Sequence, residues 1–222
     1  MKTAIVIGAG IVGLATARAL ARKGYAVKVF ERHPQATGAS VRNFGMLWPI
    51  GQPSGKLYQR ALRSREIWKG IGESGAFWHG QAGSLHLAYH ADEWQVLQEL
   101  EQAYAQERGL QLLNKEAVMN HSPVVNAEGL IGGLYSATEM IVDPREAIFK
   151  LPQYLAEKEN IQFYWNKCVS AIRDGIAYVG EQESFAADII FVCSGVDFET
   201  LYPTQFQEWP VTKCKLQMMR LE

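Results

Sequence analysis

The run Ile5-Val6-Ile7-Gly8-Ala9-Gly10-Ile11-Val12-Gly13 constrains this chain more than any other stretch. Four apolar residues, Ala4 to Ile7, lead into Gly-x-Gly-x-x-Gly. A proline-free segment rich in Ala and Leu follows from Ile11 to Lys23, and Gly24 closes it. Strand, glycine turn and helix in that order form the dinucleotide-binding pattern. Gly8 allows the tight turn off the strand, Gly10 lets the backbone approach a pyrophosphate, and Gly13 lets the helix pack closely on the sheet. The pyrophosphate would sit on free N–H groups at the helix start, those of Ile11 and Val12 among them, where the helix dipole supplies partial positive charge. Ala26–Phe30 reads as a second strand and Glu31 closes it. An acidic residue there accepts bonds from a ribose diol and repels the extra phosphate of NADP.

The chain of 222 residues is long enough for one full domain plus part of another. A net charge of -1 gives no sign of nucleic acid or an anionic membrane surface as partner. No uninterrupted apolar run approaches the ~20 residues of a membrane span, and the chain enters a strand at once, so no signal peptide is expected. Cys168, Cys193 and Cys214 stand far apart, in no metal or redox spacing. They fit a reduced, cytoplasmic setting and structural roles.

Residues 33–55 read as a long loop rich in Gly and Pro that also holds Val41, Phe44, Met46, Leu47, Trp48 and Ile50. Loops of that length inside compact domains tend to be functional, and the apolar content suggests burial against a ring system. A helix is expected over 56–71, and a strand over 84–90 with Leu85, Leu87 and Tyr89 on one face and His86, Ala88 and His90 on the other. His86 and His90 lack a third ligand, so no metal site is expected. Asp92 opens a further helix with Gln95 at the capping-box position, and Gly109 stops it. A strand over 110–113 precedes a short helix capped by Asn114. Residues 129–142 read as a hairpin or a bulged strand. Asp143-Pro144-Arg145-Glu146 opens a helix that Pro152 should break or kink near Leu151. Strands are expected over 161–169, 176–179, 187–192 and 211–219. On the last of these Lys213, Lys215 and Gln217 share one face, basic and amide-bearing. No Ser/His/Asp or Cys/His set assembles, so the chemistry falls to the bound dinucleotide and no catalytic acid–base residue is named.

Together these pieces resemble the FAD-dependent amine and amino-acid oxidoreductases, the family of D-amino-acid oxidase, glycine oxidase and sarcosine oxidase. Four matches occur in order. They are the glycine triplet with Glu31-Arg32; the loop Thr37-Gly38-Ala39-Ser40-Val41-Arg42-Asn43-Phe44-Gly45-Met46; Val142-Asp143-Pro144; and Ala187–Gly195, similar to the family's second glycine fingerprint. The resemblance implies an α/β fold: a Rossmann-like FAD-binding domain in two segments, 1–80 and 143–208, with a partial, interleaved α+β substrate domain at 81–142 and 209–222. It implies FAD held by Gly8, Gly10, Ile11, Val12, Gly13, Glu31, Arg32, Ala39, Ser40, Asn43, Phe44, Gly45, Met46, Val169, Cys193, Ser194 and Gly195. It implies hydride transfer to flavin from the carbon beside an uncharged amine, followed by imine hydrolysis. A narrower likeness, at Val41–Pro53 and Lys213–Arg220, points to a subgroup associated with aminophosphonate breakdown, whose substrates are N-methylated aminophosphonates. An anionic substrate group would call on Arg42, Lys213, Lys215 and Gln217, with Arg220 beyond them, and Trp48 would pack on the flavin or the substrate.

Family members run past the point where this chain stops, so a C-terminally truncated, weakly active or inactive form is expected. A NAD-dependent dehydrogenase and a non-catalytic dinucleotide-binding fragment are the alternative readings. Exposed sheet edges would favour a homo-dimer.

Overall fold

Ile5 and Val6 are fully buried, and the strand that carries them is the centre of the first sheet. The computed structural model describes residues 1–215 and 217. In chain order, β1 (Thr3–Ile7), α1 (Ile11–Ala21) and β2 (Ala26–Glu31) form a crossover unit. Then follow β3 (Met46–Leu47), α2 (Lys56–Glu73), β4 (His79–Gly80), β5 (Ser84–Ala88), α3 (Ala91–Arg108), β6 (Leu110–Asn114), α4 (Lys115–His121), β7 (Gly132–Ser136) and β8 (Met140–Val142). The remainder is α5 (Pro144–Lys158), β9 (Ile161–Trp165), β10 (Val169–Arg173), β11 (Ile176–Val179), β12 (Glu183–Ala186), β13 (Ile189–Val192) and the short α6 (Pro203–Gln207). Two 3-10 turns, Ala39–Val41 and Pro49–Gly51, flank β3.

The chain divides into two compact units, Met1–Phe44 with the chain from Pro144 on, and Gly45–Asp143. In the first, a four-stranded sheet of order β13-β1-β2-β9 is parallel throughout. Ile5, Ile7 and Phe30 pack with Val169, Ala177 and Val179 of the antiparallel β10-β11-β12 meander. The opposite face carries α1, with Val6 beneath Gly13. Cover on both faces is why β1 reads as an unbroken apolar run rather than an alternating one. Each such side chain contributes roughly 1.5–3 kcal/mol by burial.

In the second unit β5-β7-β6 and β3-β8-β4 are separate antiparallel sheets. Leu134 packs with Ile50 and Leu110, while Leu113, Val118 and Leu130 gather beneath Leu85 and Leu87. Asn114 caps α4 by accepting from Ala117 N–H at 2.9 Å, and Gly109 ends α3 with φ 64, the left-handed stop expected of it.

Several elements differ from expectation. Residues 45–80 fall in one compact unit with 81–143, where β3 and β4 both pair with β8. α5 runs through Pro152, whose missing N–H is offset by burial of Leu151, Pro152 and Leu155 on one flank. Asn166, at φ 56, breaks the expected strand 161–169 into β9 and β10. The stretch 129–142 forms two strands of different sheets. α3 starts at Ala91, and Glu93, not Gln95, closes its N-terminus by accepting from Tyr89 and His90 N–H at 2.8 and 3.0 Å. Residues 211–215 form no strand; part of the expected 211–219 strand, with Arg220, lies outside the described residues.

Candidate functional site

The glycine cradle is built by close approach. Gly8 has φ 104, its N–H donates to Phe30 C=O at 2.7 Å, and a Cβ there would overlap the Cys193 carbonyl. A Cβ on Gly13 would overlap the Gly8 carbonyl oxygen, so α1 rests directly on the turn. Gly10 is the N-cap of α1 and has no side chain to cap it. The first intrahelical bond is Leu14 N–H to Gly10 C=O at 2.9 Å. The N–H groups of Ile11, Val12 and Gly13 therefore lie ahead of the helix ladder. No acidic side chain stands in that first turn to neutralise the dipole. A Cβ on Gly10 would come within 3.0 Å of Ser40 Oγ.

The surrounding residues assemble on this turn. Ser40 Oγ accepts from Ile11 N–H at 3.0 Å, and Asn43 Nδ2 donates to Ser40 C=O at 2.7 Å. Glu31 Oε2 accepts from Ala9 N–H at 2.9 Å, which places its carboxylate at the mouth of the turn. Ala39 lies on the 3-10 turn that packs against α5. Arg32 pairs with Asp197, tying the end of β2 to the turn after β13 across the end of β1. Asp197 also accepts from Glu199 and Thr200 N–H, both at 3.1 Å. Burial acts to raise the Asp197 carboxyl, but the Thr200, Glu199 and Arg32 donors outweigh it and hold the group well below the usual carboxylate range. Ser194 Oγ donates to Asp197 C=O at 3.2 Å, and Gly195 turns at φ 65. Burial pushes the Cys193 thiol up, against a hydrogen bond with Thr16, which favours the thiol over the thiolate. Val169 is buried beneath the sheet, and any contact it made with a ligand would be through its main chain.

Gly45, Met46 and Trp48 belong to the second unit. Phe44, Met46 and Trp48 are exposed rather than buried, while Pro49 and Ile50 take the inward positions of that loop. Arg42 is exposed. Lys213 pairs with Glu199 at 2.9 Å. Without a strand at 211–215, nothing arranges Lys213, Lys215 and Gln217 on a common face, and all three are exposed. Among the described residues no group of three His, Cys, Asp or Glu could hold a metal, and no helix is long and apolar enough to cross a membrane.

One cluster in the second unit escaped sequence reasoning. Ile50 is held at both ends of its peptide: its N–H donates to buried Glu139 Oε1 at 3.1 Å, and its C=O accepts from buried Arg108 at 3.1 Å. Arg108 also donates to Ser54 Oγ at 2.8 Å and lies between the rings of Tyr58 and Tyr104, 4.3 Å from each. Ser84 Oγ gives its single hydrogen to Glu139 Oε2 at 3.2 Å, so it accepts from His86 Nε2 at 3.0 Å. The His86 ring stacks on Trp48, with centroids 5.8 Å apart. Burial lowers the pKa of His86, against the pull of Glu139, and favours the neutral ring. Glu139 and Arg108 are each 3 % exposed, and sequence alone neither buries them nor brings positions 50, 108 and 139 together.

Residues 3–222 match the family model described as FAD dependent oxidoreductase. The chain belongs to this family. Its structure is similar to glycine oxidase from Geobacillus kaustophilus, with TM-score 0.77 and 22% identity over 90% of this chain and 57% of that one. It is also similar to L-proline dehydrogenase from P. horikoshii, with TM-score 0.73 and 22% identity over 87% of this chain and 53% of that one. Among curated proteins it is 30% identical over 179 residues to the tRNA 5-methylaminomethyl-2-thiouridine biosynthesis bifunctional protein MnmC of Burkholderia orbicola, covering 77% of this chain and 27% of that protein. The chain thus spans about a quarter of that curated relative's length and just over half of those solved structures. FAD is the family's cofactor, and the cradle fits it: a helix start whose N-cap residue carries no side chain, a glycine where a Cβ would crowd Ser40, and a carboxylate at the mouth. The NAD-dependent alternative gives way to the family match.

Proposed function

We propose that this chain serves the oxidation of a C–N bond in a small amine or amino acid. Flavin, when bound, supplies the acceptor for the hydride leaving the carbon beside the uncharged amine. The protein's own contributions begin with the first unit. The α1 start takes the pyrophosphate on the Val12 N–H, and on that of Ile11 once its bond to Ser40 Oγ is exchanged, while Glu31 takes the ribose hydroxyls. Ser40 and Asn43, already bonded to that turn and to each other, hold the loop against it. Arg32, Ala39, Phe44, Gly45, Met46, Val169, Cys193, Ser194 and Gly195 complete the proposed cofactor contacts. The observation that carries this reading is the overlap of a Gly13 Cβ with the Gly8 carbonyl beside a helix start whose N-cap is glycine.

The finer reading is an N-methylated aminophosphonate as substrate. It rests on the Val41–Pro53 stretch and on the cations Arg42, Lys213 and Lys215, each of a type suited to an anionic end. The pairing of Lys213 with Glu199 weakens that support and leaves Arg42 and Lys215 as the better candidates. The test is the visible spectrum of the purified protein, with the chromophore released by acid, followed by bleaching with amines, amino acids and aminophosphonates in turn. A yellow protein that releases FAD and is bleached by an amine is expected. A protein that takes up no FAD on titration overturns the cofactor reading. A flavoprotein bleached by a simple amino acid and not by an aminophosphonate overturns only the finer one.

A further inference from the structure

The outer edge of β9 is an open strand edge with a groove beside it. Val27 N–H donates to Asn160 C=O at 3.2 Å, and β2 pairs with β9 in the parallel register Val27↔Ile161 and Val29↔Phe163. That bond fixes the alternation: residues 160, 162 and 164 turn their backbone to β2, and Ile161, Phe163 and Trp165 turn theirs outward. Among the described residues no strand pairs with this side, and β9 ends the sheet order. The side chains of the same three residues share one face. With Phe149, Pro152 and Gln153 they line a groove of about 520 Å³. The Phe163 and Trp165 rings stack at 5.6 Å and 8°, and Phe149 stands 67% exposed beside them. None of the eleven lining residues is charged. Sheet edges are ordinarily guarded by lysine, proline or a bulge; β9, of sequence Ile-Gln-Phe-Tyr-Trp, has no Lys or Pro and keeps an unshifted register with β2.

We propose that β9 pairs with itself: two copies of this chain join β9 to β9, antiparallel, about a two-fold axis through Phe163. The occupant must be an extended strand, because the outward N–H and C=O groups accept only that geometry. A second copy is the matching strand, because β9 read in reverse is its own complement. Phe163 then faces Phe163, Trp165 faces Ile161, and all six side chains fall on the groove face. Ile161 N–H is already bonded to Glu159 C=O at 2.9 Å. The inter-copy bonds are therefore the two of the Phe163 pair and one from each Trp165 N–H to the mate's Ile161 C=O. A neutral groove meets its copy without like-charge repulsion, whereas a charged peptide would find no counter-ion among the lining residues. The isologous contact closes after two copies.

The test uses the full chain in sedimentation velocity from about 1 to 100 µM. A concentration-dependent dimer is expected. Phe149→Lys places two ammonium groups across the axis and is expected to raise the dissociation constant at least tenfold, with an unchanged far-UV spectrum. In a background with the three native cysteines replaced by serine, Phe163→Cys is expected to give a disulfide-linked dimer on mild oxidation. Residues facing each other in a hydrogen-bonded antiparallel pair lie about 5.5 Å apart at Cα, within disulfide range. Gln162→Cys, on the opposite face and off the axis, is expected to stay unlinked. A monomer at every concentration overturns the proposal. So does a dimer that Phe149→Lys leaves unweakened and Phe163→Cys leaves uncrosslinked.

Discussion

Replacing Gly13 by alanine sets two effects of opposite sign against each other, and the structure decides between them. Alanine favours a helix over glycine by about 1 kcal/mol. At Gly13 the new Cβ would overlap the Gly8 carbonyl oxygen, where real Cβ atoms keep at least 3.0 Å. Relieving that overlap moves α1 away from the β1 turn by about 1 Å, and backbone stands on both sides, so no side-chain rotation can absorb it. Overpacking of this kind costs about 1–3 kcal/mol, toward the upper end where backbone must shift. The helix also carries Leu14 and Ala17, both fully buried, so the shift loosens core contacts as well. Net destabilisation of about 1–2 kcal/mol is expected. Urea unfolding of the FAD-free protein measures it: with a slope of about 2–3 kcal/mol/M the midpoint falls by roughly 0.5 M. An unchanged or higher midpoint at the same slope would mean that helix propensity wins, and would refute the close approach of α1 to the turn.

Gly10→Val is expected to cost about 1 kcal/mol of stability, because valine is a poor N-cap and crowds Ser40 Oγ off Ile11 N–H, and to weaken FAD binding by more than about a hundredfold through loss of the phosphate's charge-assisted bonds; unaltered FAD affinity by fluorescence titration would sink the cofactor assignment. Asp197 has a folded pKa below its unfolded value of about 3.9. Its contribution is therefore complete above about pH 5 and is lost as pH falls through the unfolded value toward the folded one. Thermal midpoints measured from pH 6 to about pH 3 should fall less steeply in Asp197→Asn than in the wild type. Arg108→Ala removes the bonds to Ile50 and Ser54 and the filling between Tyr58 and Tyr104. A loss of about 2–4 kcal/mol is expected in chemical unfolding, with a change in Trp48 emission as the Pro49–Gly51 turn is released.

The features legible in advance were those whose cause is local. Gly8, Gly10 and Gly13 are dictated by a turn and two close approaches within a few residues of one another. The Asn114 cap, the Gly109 stop and the α2 boundaries within two residues follow from short-range geometry. Glu31 was legible because its distance from the glycine turn is set by one helix and one strand. The long loop was recognised as special, but its inward residues were not: the sequence offers Phe44, Met46 and Trp48 as readily as Pro49 and Ile50, and burial chose the latter pair.

The sequence alone thus determined a dinucleotide cradle, because glycine patterning and apolar periodicity act over one turn of chain, and its motifs resembled the family whose model it matches. Tertiary structure decided the rest. It assigned residues 45–80 to the second unit through the partners of β8, carried α5 past Pro152 on a buried flank, and brought Glu139 and Arg108 to opposite ends of the Ile50 peptide. The last of these depends on residues 58 and 89 positions apart meeting in space, and no local preference of either partner encodes such a meeting.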